Sequence, residues 1–185
     1  IIRMLPASAG TVYMVGSTRN SNLGDVIGNG GNDFWAVKMD GITGNIIWFS
    51  KAYGGSRDDN CYHAMVDDND DLVLLGDALS DNGDVLGNFF SRSYWAVKLN
   101  GSTGAKTWST RGFGGSKSED FSGAGLNGYF ARSGWITSNG DIIISGVTHS
   151  SDNDVISYKG ADDLFTVRLN GNTGNPVWVS KAIGG

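Results

Sequence analysis

One stretch of this chain is written three times. Phe34-Trp35-Ala36-Val37-Lys38-Met39-Asp40-Gly41-Ile42-Thr43-Gly44 runs on to Trp48. Tyr94-Trp95-Ala96-Val97-Lys98-Leu99-Asn100-Gly101-Ser102-Thr103-Gly104 runs on to Trp108, and Leu164-Phe165-Thr166-Val167-Arg168-Leu169-Asn170-Gly171-Asn172-Thr173-Gly174 to Trp178. Each copy is a short alternating run, a polar turn with Thr-Gly at a fixed place, and a second run carrying Trp, which is the pattern of a β-hairpin. A hairpin recurring at a long, regular interval restricts the chain to a repeat architecture.

The hairpins bring the rest of the chain into register. Trp48, Trp108 and Trp178 are 60 and 70 residues apart, and so are Gly16, Gly76 and Gly146, which end the runs beginning at Thr11, Asp71 and Asp141. The repeat is therefore about 60 residues, with ten extra in the third copy, which matching Phe121-Ser122-Gly123-Ala124 to the second copy places at Gly125 to Gly134. Each unit reads as four strands: A at Leu5-Pro6, Met65-Val66 or Trp135-Ile136, B ending in the repeated Gly, then C and D of the hairpin. No window carries the spacing of an amphipathic helix. Four short antiparallel strands per unit predict an all-β fold of β-propeller blades, since solenoid coils are usually much shorter. The expected domain is 1–185, with blades at 1–55, 56–115 and 116–185. Three wedge-shaped sheets are too few to close a ring, so the expectation is a partial propeller or one completed by a homo-oligomer.

Composition agrees with a turn-dense β chain: 29 of the 185 residues are Gly, two are Pro, and six are Trp. A net charge of −5 without a Lys/Arg cluster argues against nucleic acid as partner. No apolar run approaches the length of a membrane helix, and the single cysteine, Cys61, excludes an intrachain disulfide. The chain begins at Ile1 without an initiator Met or a signal-peptide pattern, and is expected to be a mature or excised piece of something longer.

Tyr53-Gly54-Gly55-Ser56-Arg57-Asp58-Asp59, then Ala64, the Asp68-Asn69-Asp70 turn, Leu72-Val73-Leu74-Leu75-Gly76 and Tyr94-Trp95-Ala96-Val97-Lys98-Leu99 together resemble the repeat of bacterial secreted and surface β-propeller proteins of the SBBP type. The hairpin from Leu99 to Trp108 is similar to the Trp-docking motif of quinoprotein dehydrogenase propellers, where Trp packs between blades. The resemblance implies an extracellular or cell-surface, non-enzymatic module that binds a protein or glycan through its loops. Two alternatives stay open: a propeller enzyme, quinoprotein-like dehydrogenase or hydrolase, with its active site outside this chain, and a self-assembling structural repeat.

The candidate sites lie where the copies differ. Phe89, Phe90, Tyr129, Phe130 and Tyr158 are non-repeated aromatics in polar loops, and either contact a partner or fold back over their own blade. The B-to-C loops place small oxygen-bearing residues before Asp25, Asp84 and Asp154, the chemistry a calcium ion needs, or else these carboxylates cap their own turns. Asp58-Asp59 and Ser118-Glu119-Asp120 offer paired carboxylates, but a pair that recurs with altered chemistry reads as a structural turn. His63 and His149 stand without a nucleophile signature. Cys61 reads as a small buried apolar side chain, and Trp35, Trp48, Trp95, Trp108 and Trp178 as packing residues.

Overall fold

The computed structural model describes residues 3–19, 26–88, 91–120 and 133–185. In chain order the strands are β1 (Arg3–Pro6), β2 (Thr11–Arg19), β3 (Asn32–Asp40), β4 (Ile46–Phe49), β5 (Asp59–Val66), β6 (Leu72–Ala78), β7 (Ser93–Leu99), β8 (Lys106–Ser109), β9 (Glu119–Asp120), β10 (Ser133–Ile136), β11 (Ile142–Thr148), β12 (Asp163–Leu169) and β13 (Pro176–Val179). A 3-10 turn at Ser8–Gly10 is the one helical element among the described residues. The fold is all-β: three four-stranded antiparallel sheets, ordered β1-β2-β3-β4, β5-β6-β7-β8 and β10-β11-β12-β13, with β9 pairing β11.

The register matches the sequence repeat. Pro6 lies opposite Val12, Val66 opposite Leu72 and Ile136 opposite Ile142, so β1, β5 and β10 hold one place in three equivalent sheets. One boundary moves. Ser133–Ile136 is strand, with Gly134 opposite Ile144 as Ala64 is opposite Leu74. Gly134, not Ala124, is thus the equivalent of Ala64, and the extra residues fall within 121–132 rather than at 125–134. Phe121-Ser122-Gly123-Ala124 matched on residue type alone, whereas the ladder fixes position through backbone pairing.

The repeated turn has a local cause. The side-chain oxygen of Asp40 accepts the backbone N–H groups of Ile42 and Thr43, and Asn100 and Asn170 do the same at Ser102 and Thr103 and at Asn172 and Thr173. Gly44, Gly104 and Gly174 follow at φ of +73°, +71° and +71°, a left-handed backbone that glycine adopts without a Cβ clash. Asx, Thr and Gly at fixed spacing therefore close the hairpin by themselves.

Side chains alternate between the two faces of each sheet, and neighbouring sheets stack through apolar faces. Tyr13, Val15, Phe34, Trp48 and Tyr53 of the first unit meet Leu72, Leu74, Trp95, Val97 and Leu99 of the second. The opposite face of the second, with Val73, Leu75, Tyr94, Trp108 and Phe113, meets Ile142, Ile144, Phe165, Val167 and Leu169 of the third. The middle sheet is covered on both sides, so β6 and β7 are buried along their whole length. Burial of each large side chain is worth about 1.5–3 kcal/mol, which makes these two interfaces the main source of stability.

The indoles fix how the sheets dock. Trp48 Nε1 donates to Gly101 O and Trp108 Nε1 to Gly171 O, both at 3.1 Å, so the Trp of the first and of the second unit each grips the hairpin turn of the next. Lys38 adds a cation to the first junction, donating to Gly101 O at 2.9 Å and to Asp70 Oδ2 at 2.6 Å. Lys98 Nζ repeats the carbonyl contact at Gly171, 3.2 Å away.

Candidate functional site

The first strands of the three sheets, β1, β5 and β10, line one groove of about 350 Å³. Arg3 and Leu5 come from β1, His63 and Met65 from β5, Trp135 and Ile136 from β10. The strands approach closely because Gly134 carries no side chain: a Cβ there would fall 2.3 Å from Leu75 Cδ1 and 2.9 Å from Met65 Cε. An Arg3 guanidinium nitrogen donates to His63 Nδ1 at 2.7 Å, which requires that nitrogen to be the acceptor of the ring. Trp135 is 69% exposed. It holds the slot of Leu5 and Met65, so it is the one Trp of the six without a counterpart in another copy. That uniqueness is the one feature of the sequence that sets this position apart from the repeated indoles. The arrangement presents an apolar ring face beside a cation and an imidazole, suited to stacking and hydrogen bonding rather than to nucleophilic chemistry.

The loop residues singled out from sequence fare differently. Phe89, Phe90, Tyr129, Phe130 and Asp25 lie outside the described residues. Tyr158 folds back: its hydroxyl donates to Ala161 O at 2.7 Å and its ring packs on the core between the second and third units. Asp84 accepts from Lys106 at 2.6 Å and from Lys51 at 2.9 Å. Both oxygens of Asp154 are held by Arg111, each at 2.6 Å, while Asp154 also accepts the Gly114 N–H at 3.1 Å. These carboxylates are brought not to one another but each to cations in or just after a fourth strand, Lys106 in β8, Lys51 two residues beyond β4 and Arg111 two residues beyond β8. Calcium needs six to eight oxygens, and here every Asp84 and Asp154 oxygen already faces an ammonium or guanidinium. Asp84 and Asp154 are thus committed to ion pairs, and among the described residues no cluster of three or more His, Cys, Asp or Glu forms.

The acidic residues after Gly-Gly act as loop anchors. Asp59 accepts the N–H groups of Gly55, Leu79 and Ser80 and the Ser80 hydroxyl, while Asp58 accepts the Asn32 N–H. Glu119 repeats this at Gly115 N and the Ser150 hydroxyl. Burial raises both carboxyls above their ordinary values, and these hydrogen bonds hold the rise in check. Asp33 is fully buried beside this anchor. Its Oδ2 accepts the Asn29 N–H at 2.6 Å, Oδ1 has no partner, and burial together with the charge of Asp59 pushes it up to about 6.

His149 bridges Ser118 O and Asp162, an exposed structural tie. Cys61 is fully buried, and burial pushes its thiol up to about 12, which suits packing and not attack.

The fold and groove define a class, an all-β protein of stacked blade-like units with a shared inner groove. No model of a known protein family matches the chain, and a search of curated proteins returns no match.

Proposed function

We propose that this chain is part of a β-propeller of the secreted bacterial repeat type, and that it works as a non-catalytic module binding a glycan or protein through the inner groove. The observation that carries the reading is Trp135, a large aromatic ring left in solvent where the first strands of three sheets meet, while the indoles of Trp48, Trp95 and Trp108 are committed to packing. A groove of about 350 Å³ falls in the range of ligand sites, and an exposed indole flanked by Arg3 and His63 offers a stacking face with polar directors at its rim. The resemblance to extracellular repeats supports a surface or secreted setting, where such ligands occur.

The test is an array of glycans and peptides probed with the native chain and with Trp135→Ala. Loss of the captured ligand in Trp135→Ala, with Tyr158→Phe unchanged, supports the groove. Ligands that bind both equally well overturn it and return attention to the outer loops. Hot-spot aromatics of this kind cost about 2 kcal/mol or more on truncation, roughly a thirtyfold loss of affinity.

A further inference from the structure

The junction between the second and third sheets holds a cleft at a place that side chains fill in the first junction. There the Asp70 carboxylate, on the turn between β5 and β6, reaches across to the first unit. Its Oδ1 accepts the Ser8 N–H at 2.8 Å, and its Oδ2 accepts the Ser8 hydroxyl at 2.8 Å and Lys38 Nζ at 2.6 Å. The turn between β10 and β11 has Gly140 in the same place: Asp70 N–H donates to Asp67 O and Gly140 N–H to Thr137 O. A Cβ built on Gly140 meets nothing within 4 Å. The space left is a cleft of about 320 Å³, whose lining includes Asp68, Asn69, Lys98, Ser138, Gly140 and Asn172. That volume falls within the roughly 300–1,000 Å³ of ligand sites.

Lys98, the counterpart of Lys38, has changed partners. It is 5% exposed and pairs within its own sheet, with Asp67 at 2.7 Å and Asp71 at 3.5 Å. The other oxygen of Asp67 is taken by the N–H groups of Asn69 and Asp71, both at 2.9 Å. The side chains of Asp68, Asn69, Ser138 and Asn172 are exposed and have no partner among the described residues. This lining selects its ligand by charge. An anion would meet an ammonium that two carboxylates already neutralise, beside the free carboxylate of Asp68. A calcium ion needs six to eight oxygens and would find one free carboxylate next to the Lys98 ammonium. A hydroxyl both donates and accepts, so a neutral polyhydroxyl ligand can donate to Asp68 and accept from the Asn69 and Asn172 amides. Ile136 adds an apolar wall for the C–H face of a ring.

We propose that this cleft binds a single neutral sugar residue, with Asp68, Asn69 and Asn172 as its hydrogen-bonding groups. The site does not depend on the groove beside Trp135, although Ile136 lines both.

The test is amide NMR of the isotope-labelled native chain, titrated with glucose, galactose, mannose and N-acetylglucosamine, each to about 50 mM, which populates a contact of about 5 mM Kd. At least one sugar is expected to shift the amide signals of Asn69, Gly140 and Asn172 saturably. Gly140→Asp restores the carboxylate that Asp70 supplies at the first junction, on a left-handed backbone that Asp tolerates, and is expected to weaken binding at least tenfold. Asn172→Ala keeps the backbone N–H bond to Asn170 and is expected to weaken binding about tenfold. A native-like amide spectrum checks that both variants fold. Trp135→Ala is expected to bind as the native chain does, so failure of this site and failure of the groove are told apart. The proposal is overturned if no sugar shifts these amides, if Gly140→Asp and Asn172→Ala bind as tightly as the native chain, or if Trp135→Ala abolishes binding. Calcium chloride or sodium phosphate shifting the same amides where the sugars do not would also overturn it, and would assign the cleft to an ion.

Discussion

The indole of Trp48 occupies the space that a side chain at Gly104 would need. A Cβ built on Gly104 falls 2.7 Å from Trp48 Cε3 and 2.8 Å from Cδ2, and the Nε1 of the same ring donates to Gly101 O at 3.1 Å. Gly174 and Trp108 repeat the relationship, with 2.7 Å to Cε3. The glycine thus serves two demands at once, a left-handed turn inside its own hairpin and a flat seat for its neighbour's ring.

Gly104→Ala is expected to cost on the order of 3 kcal/mol, combining about 1–2 for the left-handed backbone with the displacement of a packed indole. Gly140→Ala separates the two contributions. Gly140 has φ of +83° and open space around its Cβ, so only the backbone cost remains. Urea denaturation of both variants measures the difference; equal losses would show that the Trp48 ring moves aside at no cost.

Cys61 lies fully buried in the bulge of β5, opposite Gly76. The native chain is expected to show no reaction with a disulfide exchange reagent over minutes, and one thiol per chain after unfolding in urea, because the thiolate is both disfavoured and shielded. Rapid labelling of native protein would place the thiol at the surface.

The three hairpins were legible because Asp40, Asn100 and Asn170 each shape their turn through neighbours two and three residues on, so local sequence carries the whole cause. The docking role of the indoles was legible for a related reason, since repetition at equal phase excludes a unique site. Long-range pairing was not. Arg111 meets Asp154 across 43 residues, and nothing in the Ser151-Asp152-Asn153-Asp154 loop distinguishes a carboxylate awaiting a metal from one awaiting a guanidinium. Trp135 is legible only in part for the same reason: its slot in β10 follows from the repeat, but its exposure depends on how three separate strands converge.

The Arg111 and Asp154 pair gives the loop a testable character. Calcium in excess and then a chelator are expected to leave the thermal midpoint unchanged, because a bound ion would have to displace Lys51 and Lys106 or Arg111 from the carboxylates. A midpoint that rises with calcium and falls with chelator would show a site that includes Asp25 or other residues of these loops. Asp154→Asn is expected to destabilise by about 1 kcal/mol, since the pair is partly exposed and the guanidinium keeps its bond to Gly112 O.

Asp33 makes stability depend on pH in the direction opposite to that usual for a carboxylate. Burial and the nearby Asp59 raise its folded value to about 6, above its ordinary value of 3.8, while the Asn29 N–H opposes the rise. Folding therefore favours the protonated form. The contribution of Asp33 is complete below the unfolded value and is lost as pH rises through about 6, so the native chain is expected to become more stable on this account as pH falls from 7 towards 4.5. Asp33→Asn isolates the effect. Its amide keeps an oxygen for the Asn29 N–H and places a donor where Oδ1 lacks a partner, facing the same Gly54 that Asp59 flanks. At pH 7.5 the variant is expected to be more stable by on the order of 2 kcal/mol, an advantage that vanishes near pH 4. Thermal melts of the two proteins across that range measure it. A variant that is less stable at pH 7.5 would show that the Asp33 carboxylate is held by a charge partner in the folded chain.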